Sequence, residues 1–262
     1  METGGVITGY IDAAQLLLYL FWLFFFGLVY YLLQESKREG YPLESDEPGE
    51  GPIRGFPDLP ATRKTFLLPN GGSITVPRDD PEEELSAKPA ERWRGAPLTP
   101  TGDPMLAGIG PGSWSNREDH PDITVEGQPK IVPLRSVDGY SLHEGDTDPT
   151  GFAVVGADGV QAGRVTDLWV EQGDPQVRFI EMALDGADEG SGDRILIPKH
   201  FAKTNAEKQE LTVDAVLGAH FALAPKTAHP EQITLLEEDK VMAFYGGGLF
   251  YAEPERTEPL LL

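Results

Sequence analysis

The sequence predicts an α+β membrane protein with one N-terminal transmembrane helix, an extended surface segment, and a cytoplasmic antiparallel β-barrel domain with short C-terminal helices. Three observations support this fold class. Leu16 to Leu33 carries no charged side chain, Tyr41 to about Pro100 is rich in Pro, Gly and charge, and short β-rich stretches follow Lys130. The expected parts are a periplasmic N-terminus (1–11), the transmembrane helix (12–34), the extended segment (35–105) and the cytoplasmic domain with its C-terminal helical region (106–262).

The uncharged run is long enough to cross a bilayer. At about 1.5 Å of rise per helical residue it approaches the ~30 Å hydrocarbon core, and Ala13 and Ala14 extend it. Acidic residues precede the run, and no small-residue cleavage site follows it. We therefore expect a retained anchor and not a cleaved signal peptide.

Residues at the C-terminal end of the run predict the orientation. Lys37 and Arg38 form the first basic pair, so the positive-inside rule places Met1 in the periplasm and the bulk of the chain in the cytoplasm. Tyr30 and Tyr31 lie near the inner boundary, where amphipathic rings favour the headgroup region. These four residues are the predicted membrane-interface residues.

The composition excludes several function classes. A net charge of −22 disfavours nucleic-acid binding, which needs clustered Lys and Arg, and disfavours a broad polybasic membrane patch. The sequence has no Cys, which removes disulfides, thiolate nucleophiles, covalent haem attachment and Cys-ligated metal clusters. The length leaves room for one cytoplasmic domain of ordinary size.

The segment from Tyr41 to about Pro100 predicts little regular structure beyond a short strand at Ser73 to Val76. A segment of this length is either a disordered linker or a ribbon held against another surface. The stretch "TFLLPNGG" favours the ribbon, because its Phe and Leu side chains would have nothing to bury in a free linker.

Beyond Lys130 the sequence predicts strands. The candidates are "KIVPL", "FAVVGADG", "AGRVTDLWV", "VRFIEMAL" and "RILIP", separated by turn formers such as Asp158-Gly159 and Gly173-Asp174-Pro175. Their spacing indicates a small antiparallel barrel. Strict alternation in "GRVTDLWVE" would place Val165, Asp167 and Trp169 on one face and Thr166, Leu168 and Val170 on the other.

Two helices are expected near the C-terminus. Asp214 is a candidate N-cap for a short helix over "AVLGAHFAL". "EEDKVMAFYGGGLFYA" predicts another helix that turns at Gly246 to Gly248, where the glycines would allow close packing.

The motifs of common active sites are weak or missing. None of the five His residues has the i, i+4 spacing of a helical zinc site, and "YGGGLFYA" lacks the Lys-Ser/Thr of a phosphate loop. Glu237 and Glu238 could form a glycosidase dyad, but such pairs are common in a chain with 43 acids. "EGDTDPTG" lacks the order of a calcium loop and is interpreted as a connector.

Several stretches, in order along the chain, resemble the H subunit of the purple-bacterial photosynthetic reaction centre. They are "FWLFFFGLVYYL", "KREGYPLE", "TFLLPNGG", "TGDPM", "GPGSW", "KIVPLR", "GRVTDLWVE", "TLLEEDKV" and "YGGGLFYA". The ordered set is far more specific than any one stretch. The resemblance implies a helix against the membrane-embedded L and M subunits, an extended segment over their cytoplasmic face, and a barrel of the PRC type.

The resemblance also implies a role without enzyme activity of its own. The H subunit holds no pigment, stabilises the complex, shields the quinone region, and helps carry cytoplasmic protons to the secondary quinone during light-driven electron transfer. Bacteriochlorophyll, bacteriopheophytin, quinones, carotenoid and a non-haem iron are expected on L and M, in the intracytoplasmic photosynthetic membrane of a bacterium. Membrane lipid, a light-harvesting antenna and a cytochrome subunit are further candidate partners.

By resemblance, several acids are candidate proton-transfer residues: Asp119, Asp122, Glu126, Glu171, Asp174 and Glu238. Glu171 and Asp174 align with family acids near the proton route, with Asp and Glu exchanged at each position. Glu126 and Gln128 stand where some members carry a His pair, which leaves the point of proton uptake open. Asp174 is expected to contribute more than Glu171, and the alternative for each acid is a solvated carboxylate or, for Asp174, a turn residue.

Two other classes remain open on the sequence. One is a single-span adaptor that docks a partner through a PRC-like barrel, and the other is a membrane-tethered hydrolase that uses two of the acids. Near-infrared absorbance of the purified complex distinguishes the reaction-centre subunit from both alternatives, because only the reaction centre would carry bacteriochlorophyll.

We predict that protease added to the cytoplasmic face digests the barrel but leaves the span intact. The reason is the Lys37–Arg38 flank, which places residues 1–10 on the opposite side. Mass spectrometry of the protected fragment in sealed, oriented membranes measures this. Digestion of the barrel only from the periplasmic side would contradict the topology.

Overall fold

The computed structural model describes residues 6–8, 11–41, 58–69, 71–78, 85–93, 96–186 and 194–257. The chain divides into two compact units, one of Met1–Glu83 with Trp93–Gly95 and another of Glu84–Arg92 with Ala96–Leu262. The boundary at 105 between extended segment and domain stays a prediction. Parts of two predicted regions, 1–5 with 9–10 and 42–57, lie outside the described residues.

The described elements are two α-helices, thirteen strands and several short 3-10 turns. The helices are α1 (Ala13–Arg38) and α2 (Leu235–Tyr251). The strands, in chain order, are β1 (Val6–Thr8), β2 (Ile11–Asp12), β3 (Lys64–Leu67), β4 (Ser73–Val76), β5 (Ala87–Pro89), β6 (Leu98–Pro100), β7 (Ile131–Pro133), β8 (Ala153–Gly156), β9 (Gln161–Glu171), β10 (Gln176–Leu184), β11 (Arg194–Pro198), β12 (Ala202–Asn205) and β13 (Glu210–Val213).

Helix α1 confirms the N-terminal apolar helix. Asp12 caps it by accepting a hydrogen bond from the Gln15 backbone N–H at 2.7 Å. The helix continues about one turn past the apolar run and ends before Gly40, whose φ of +91° favours glycine. Within the part of the chain that the structure describes, α1 alone has the length and apolar composition to cross a membrane.

A two-stranded ribbon follows α1 in the first unit. Strands β3 and β4 pair antiparallel from Lys64 with Val76 to Leu67 with Ser73, which confirms the predicted strand and adds one that was not predicted. Phe66 is partly exposed and Leu67 is 86% exposed in the chain by itself. Such a ribbon is only marginally stable alone, so it needs a surface to cover these side chains.

The main sheet of the second unit is a curled barrel. Its strands pair in the order β11-β10-β9-β8-β13-β12, and β7 pairs with the second half of β9. The strands at the two ends of this path, β11 and β12, are joined by only Lys199–Phe201. Three residues span about 10 Å at most, so the sheet must curl until its ends meet. All five predicted strands are present, and the pairs are antiparallel except β8 with β13, which is parallel.

The barrel encloses one apolar core, and α2 packs against it. Trp169, Phe179, Phe221 and Tyr245 are its largest fully buried aromatic side chains. Helix α2 begins at a Thr234 N-cap, where Thr234 and Glu237 form a reciprocal capping box.

The C-terminal helices differ from the prediction in two details. The predicted turn at Gly246 to Gly248 is wrong, because α2 continues through these glycines to Tyr251. The glycines instead allow close packing, since a Cβ at Gly248 would lie 2.5 Å from the Ala215 carbonyl oxygen. Asp214 does not cap a helix; its carboxylate pairs with Lys203, and only a 3-10 turn, Gly218–Leu223, forms in that stretch.

Two β-bulges interrupt the β9–β10 hairpin and correct the predicted alternation. Glu181 pairs with Asp167 and Met182 with Val165, so Thr166 is an extra residue in β9. Val177 pairs with Val170 and Phe179 with Trp169, so Arg178 is an extra residue in β10. A bulge redirects side chains by one residue, and strict period-two alternation therefore fails along both strands.

The first bulge surrounds a buried carboxylate with donors. Glu181 is 2% exposed, and it accepts hydrogen bonds from Thr166 Oγ1 at 2.8 Å and Trp169 Nε1 at 3.0 Å. Arg135 and Arg194 form ion pairs with it at 3.0 and 2.9 Å. Burial raises the pKa of Glu181, but the hydrogen bonds and the Arg135 charge outweigh burial, and the net pKa is lower than usual.

We predict that Glu181→Gln destabilises the fold by about 1–3 kcal/mol, because the amide N–H groups of Gln would face donors that the buried carboxylate accepts from, while Arg135 keeps its ion pair with Asp167. Since the native pKa of Glu181 is lowered, its contribution is complete above the unfolded-state value of 4.5 and is lost as pH falls through the native value. Denaturant unfolding of the full chain in detergent from pH 7 down to ~3 measures both effects. Glu207→Gln, at an exposed turn, is the matched control, and equal losses in both variants would contradict the role of Glu181.

We also predict that Gly248→Ala destabilises α2 packing by about 1–3 kcal/mol. Alanine is the better helix former by about 1 kcal/mol, so an open site would show the opposite sign. Here the new Cβ would lie 2.6 Å from Val216 Cγ1 as well as against the Ala215 carbonyl. A melting temperature that is unchanged or higher would show that α2 can shift away from the loop at no cost.

Candidate functional site

The candidate site lies at the end of the β9–β10 hairpin where the connecting turn joins the two strands. The predicted turn at Gly173-Asp174-Pro175 is confirmed, since β9 ends at Glu171 and β10 begins at its partner Gln176. Glu171 is only 7% exposed although it ends the strand. A carboxylate buried to this extent requires compensating partners.

Two cations share the Glu171 carboxylate. Lys130 Nζ lies 2.9 Å from Oε1, and Arg178 NH1 lies 3.1 Å from Oε2. Each cation also contacts a second predicted acid. Lys130 lies 3.4 Å from Asp122 Oδ2, and Arg178 NH2 lies 3.0 Å from Glu238 Oε1. These residues, Asp122, Lys130, Glu171, Arg178 and Glu238, are called the charged cluster below.

The backbone places each member of the charged cluster. The Lys130 N–H donates to the Asp122 carbonyl and the Lys130 carbonyl accepts from Gln172, both at 2.8 Å, which holds Lys130 between its two acids. Arg178 is the extra residue of the second bulge, which turns its side chain toward Glu171. Glu238 lies in the first turn of α2, where a carboxylate is favoured by the helix dipole.

The cluster alternates acids and bases from a solvated end to a buried centre. The Asp122 side chain is half exposed, whereas those of Glu238 and Glu171 are largely buried. The pKa of Lys130 is raised, first by its hydrogen bond to Glu171 and then by that to Asp122. Lys130 therefore stays charged at neutral pH and keeps the two carboxylates joined.

Asp119 belongs to the neighbouring loop and not to the charged cluster. It accepts a hydrogen bond at 2.7 Å from the Thr234 hydroxyl, the residue that caps α2. The His120 carbonyl accepts from the Leu235 N–H at 3.1 Å, which attaches the same loop to the helix start. The pKa of His120 is raised by its contact with the Pro121 carbonyl and by Glu118, 2.5 Å away.

Two of the predicted acids face solvent apart from the cluster. Glu126 lies at the tip of the tight turn between Asp122 and Lys130 and is exposed. Asp174 is exposed in the hairpin turn and accepts a hydrogen bond from Gln176 Nε2 at 3.1 Å. The structure thus brings Asp122, Glu171 and Glu238 together, and it leaves Glu126 and Asp174 outside.

The predicted interface residues lie along the last turns of α1. Tyr30 and Tyr31 are exposed on the helix surface. Lys37 donates to the Leu59 carbonyl at 2.8 Å, and Arg38 donates to the Thr62 carbonyl at 2.7 Å. Both cations therefore bind the chain that follows the helix, in addition to any contact with lipid.

Sequence reasoning missed the two cations of the charged cluster. Arg178 stands inside an otherwise β-rich stretch, and Lys130 directly precedes the apolar strand β7. A cation in or beside a buried strand needs an anionic partner, and this was the available signal. The ion pairs themselves depend on the bulge at Arg178 and on the fold bringing residues 122 and 171 to the same lysine. No local sequence pattern shows either feature.

Metal binding has no candidate in the described part of the chain, where no group of three or more His, Cys, Asp or Glu side chains could hold an ion.

Comparison with protein families identifies the two parts of the chain. The family model of the photosynthetic reaction centre H-chain N-terminal region matches residues 5–136. The model of the PRC-barrel domain matches residues 143–219, which contain β8 to β13. The first match alone covers about half of the residues, and the chain therefore belongs to the photosynthetic reaction centre H-chain family.

Proposed function

We propose that this chain caps the cytoplasmic face of the reaction centre and assists proton delivery to the secondary quinone. Members of the H-chain family associate with the L and M subunits, which gives the chain its partners. The observation that carries the proton-delivery role is the charged cluster, in which three of the resemblance-derived acids contact two cations.

The chemistry of a proton relay matches the composition of the cluster. Proton transfer needs groups within hydrogen-bonding reach whose protonated and ionised forms are both accessible. Asp122 offers a carboxylate to solvent, Glu171 occupies the buried centre, and Glu238 continues beyond Arg178. The cations fix the position of each carboxylate through charge-assisted hydrogen bonds, and protons would move between the acids through intervening water.

The same cluster would favour charge compensation at the quinone. A reduced quinone is an anion until it is protonated, and cations held at fixed positions stabilise a nearby negative charge in a poorly solvated region. Glu126 and Asp174 are proposed as outer, solvent-facing acids that exchange protons with bulk water. Asp119 is proposed as a support, because it holds the α2 cap that positions Glu238.

Anchoring is the second part of the proposal. Helix α1 spans the photosynthetic membrane with its N-terminus in the periplasm, supported by the basic pair at its C-terminal end. The exposed apolar side chains of the β3–β4 ribbon then cover the L and M surface and shield the quinone sites from water. The pigments, quinones, carotenoid and non-haem iron belong to L and M, and an antenna, a cytochrome subunit and membrane lipid are further proposed contacts.

We predict that Glu171→Gln slows the proton-coupled second electron transfer to the quinone by about tenfold. A sole proton-transfer group would contribute ~10²–10⁴-fold, but water can bypass part of this route. Flash-induced absorbance kinetics from pH ~6 to ~9, a range that brackets neutral-shifted carboxylates, measure the rate. Pigment spectra and the first electron transfer should change much less.

Asp174→Asn is the matched comparison. The sequence predicts a larger effect on proton transfer for Asp174 than for Glu171, and the geometry reverses this order. Asp174 is exposed and Asn is also a good turn former, so we now expect a much smaller effect than in Glu171→Gln. A larger effect in Asp174→Asn would restore the sequence-based order. Unchanged second-transfer rates in both variants would remove this hairpin end from the proton path.

A further inference from the structure

A cavity of about 450 Å³ opens at the seam of the barrel, where β11 and β12 are joined. It is lined by Gln176, Val177, Arg178 and Phe179 of β10, by Lys199 and His200 of the connection, and by Met242 of α2. The lining contains basic side chains and no carboxylate. The lining is therefore richer in basic side chains than the chain as a whole, which has 43 acids and 21 bases.

The bases differ in how firmly they are held. Arg178 is fixed at the cavity wall, because Glu171 and Glu238 each bind one of its terminal nitrogens. Lys199 is exposed, and within the described ranges its ammonium group has no ion pair or hydrogen bond. It is therefore an available point charge with three donors beside an anchored guanidinium group.

His200 adds a hydrogen-bond donor whose protonation would depend on whether an anion is bound. Its ring packs on Phe201, with centroids 4.3 Å apart, which limits the orientations of the imidazole. Its pKa is lowered, first by burial and then by the charge of Arg178. A bound anion would offset that charge and favour the protonated imidazolium.

The rest of the lining is apolar. Phe179 is almost fully buried, and Val177 and Met242 are partly buried. The cavity therefore combines basic groups with a wall that accepts carbon atoms. The net charge of −22 repels extended polyanions, so a ligand must be compact and bind through short-range contacts.

We propose that this cavity binds a phosphate group, either of a lipid headgroup or of a free phosphate compound, through Lys199 and His200 beside Arg178. A phosphate has several acceptor oxygens and more than one negative charge near neutral pH, which suits several converging donors. This binding goes beyond the proposed proton delivery and shares only Arg178 with it.

Site-specific labelling of the full chain in detergent tests whether the ligand is a free phosphate compound. An amine-reactive ester modifies exposed lysines, and mass spectrometry gives the rate at each. Inorganic phosphate should slow the labelling of Lys199 severalfold relative to chloride at equal ionic strength. Lys208, exposed and outside the cavity, is the internal control and should be unaffected. His200→Asn should reduce the protection of Lys199, and Lys208→Gln should not.

Whether the ligand is a lipid headgroup is tested with the full chain in nanodiscs of phosphatidylcholine, with and without phosphatidylglycerol. Protection of Lys199 only with phosphatidylglycerol would identify a lipid headgroup, and protection by inorganic phosphate would identify a free phosphate ligand. Protection by neither probe, or equal protection of Lys199 and Lys208, would overturn the proposal. The readout is labelling and not electron transfer, so its failure is distinct from failure of proton delivery.

Discussion

The two bulges in the β9–β10 hairpin are the constraint on which the rest of the second unit depends. This hairpin is the longest in the barrel, and its strands contact β7, β8 and β11 on their outer edges. An extra residue in each strand changes which side chains face inward. One bulge directs donors to Glu181 inside the sheet, and the other directs Arg178 to Glu171 at the end of the hairpin.

The hairpin thus carries two carboxylates in opposite situations. Glu181 is enclosed by two arginines, an indole N–H and a hydroxyl, so its acceptor oxygens are satisfied by groups that the fold holds in place. Such a network specifies one register, because any slip would leave a charge buried without a partner. Glu171 also has two cationic partners, but each of them contacts a second acid nearer the surface, Asp122 or Glu238. The first arrangement is suited to stability and the second to exchange with solvent.

The packing of α2 links these regions. Its glycines allow the helix to approach the loop at Ala215, and its capped N-terminus brings Glu238 to Arg178. Arg256 binds the Gly248 carbonyl at the other end of the helix, at 3.1 Å, and also the carbonyl of Asp214 at 2.9 Å. Both ends of α2 are therefore held, and the cluster residue on its first turn has a fixed position. In the first unit, Lys37 and Arg38 play a comparable part, because they bind backbone carbonyls of the chain after α1.

Much of the architecture could be predicted because it follows from local physical preferences. An uncharged run of helical length and β-branched stretches with turn formers between them each specify their element without help from distant residues. Strands β12 and β13 were missed, since "AKTN" is mostly polar and "ELTV" has only four residues. They become strands by pairing with each other and, for β13, with β8. The run of glycines in α2 was expected to turn the helix, but α2 continues through the glycines and packs closely on the loop at Ala215.

The candidate site also has some features that the sequence determined and others that only the tertiary structure decided. The sequence by itself determined the family, the acid-rich hairpin turn and the identity of the acids, because these depend on residue types and their order. Only the tertiary structure decided which acids share cation partners. Asp174 and Glu171 are close neighbours in the chain, yet one is solvated and the other is buried between Lys130 and Arg178. The physical reason is that ion pairs form between residues far apart in sequence, and a single bulge determines which of them come within reach.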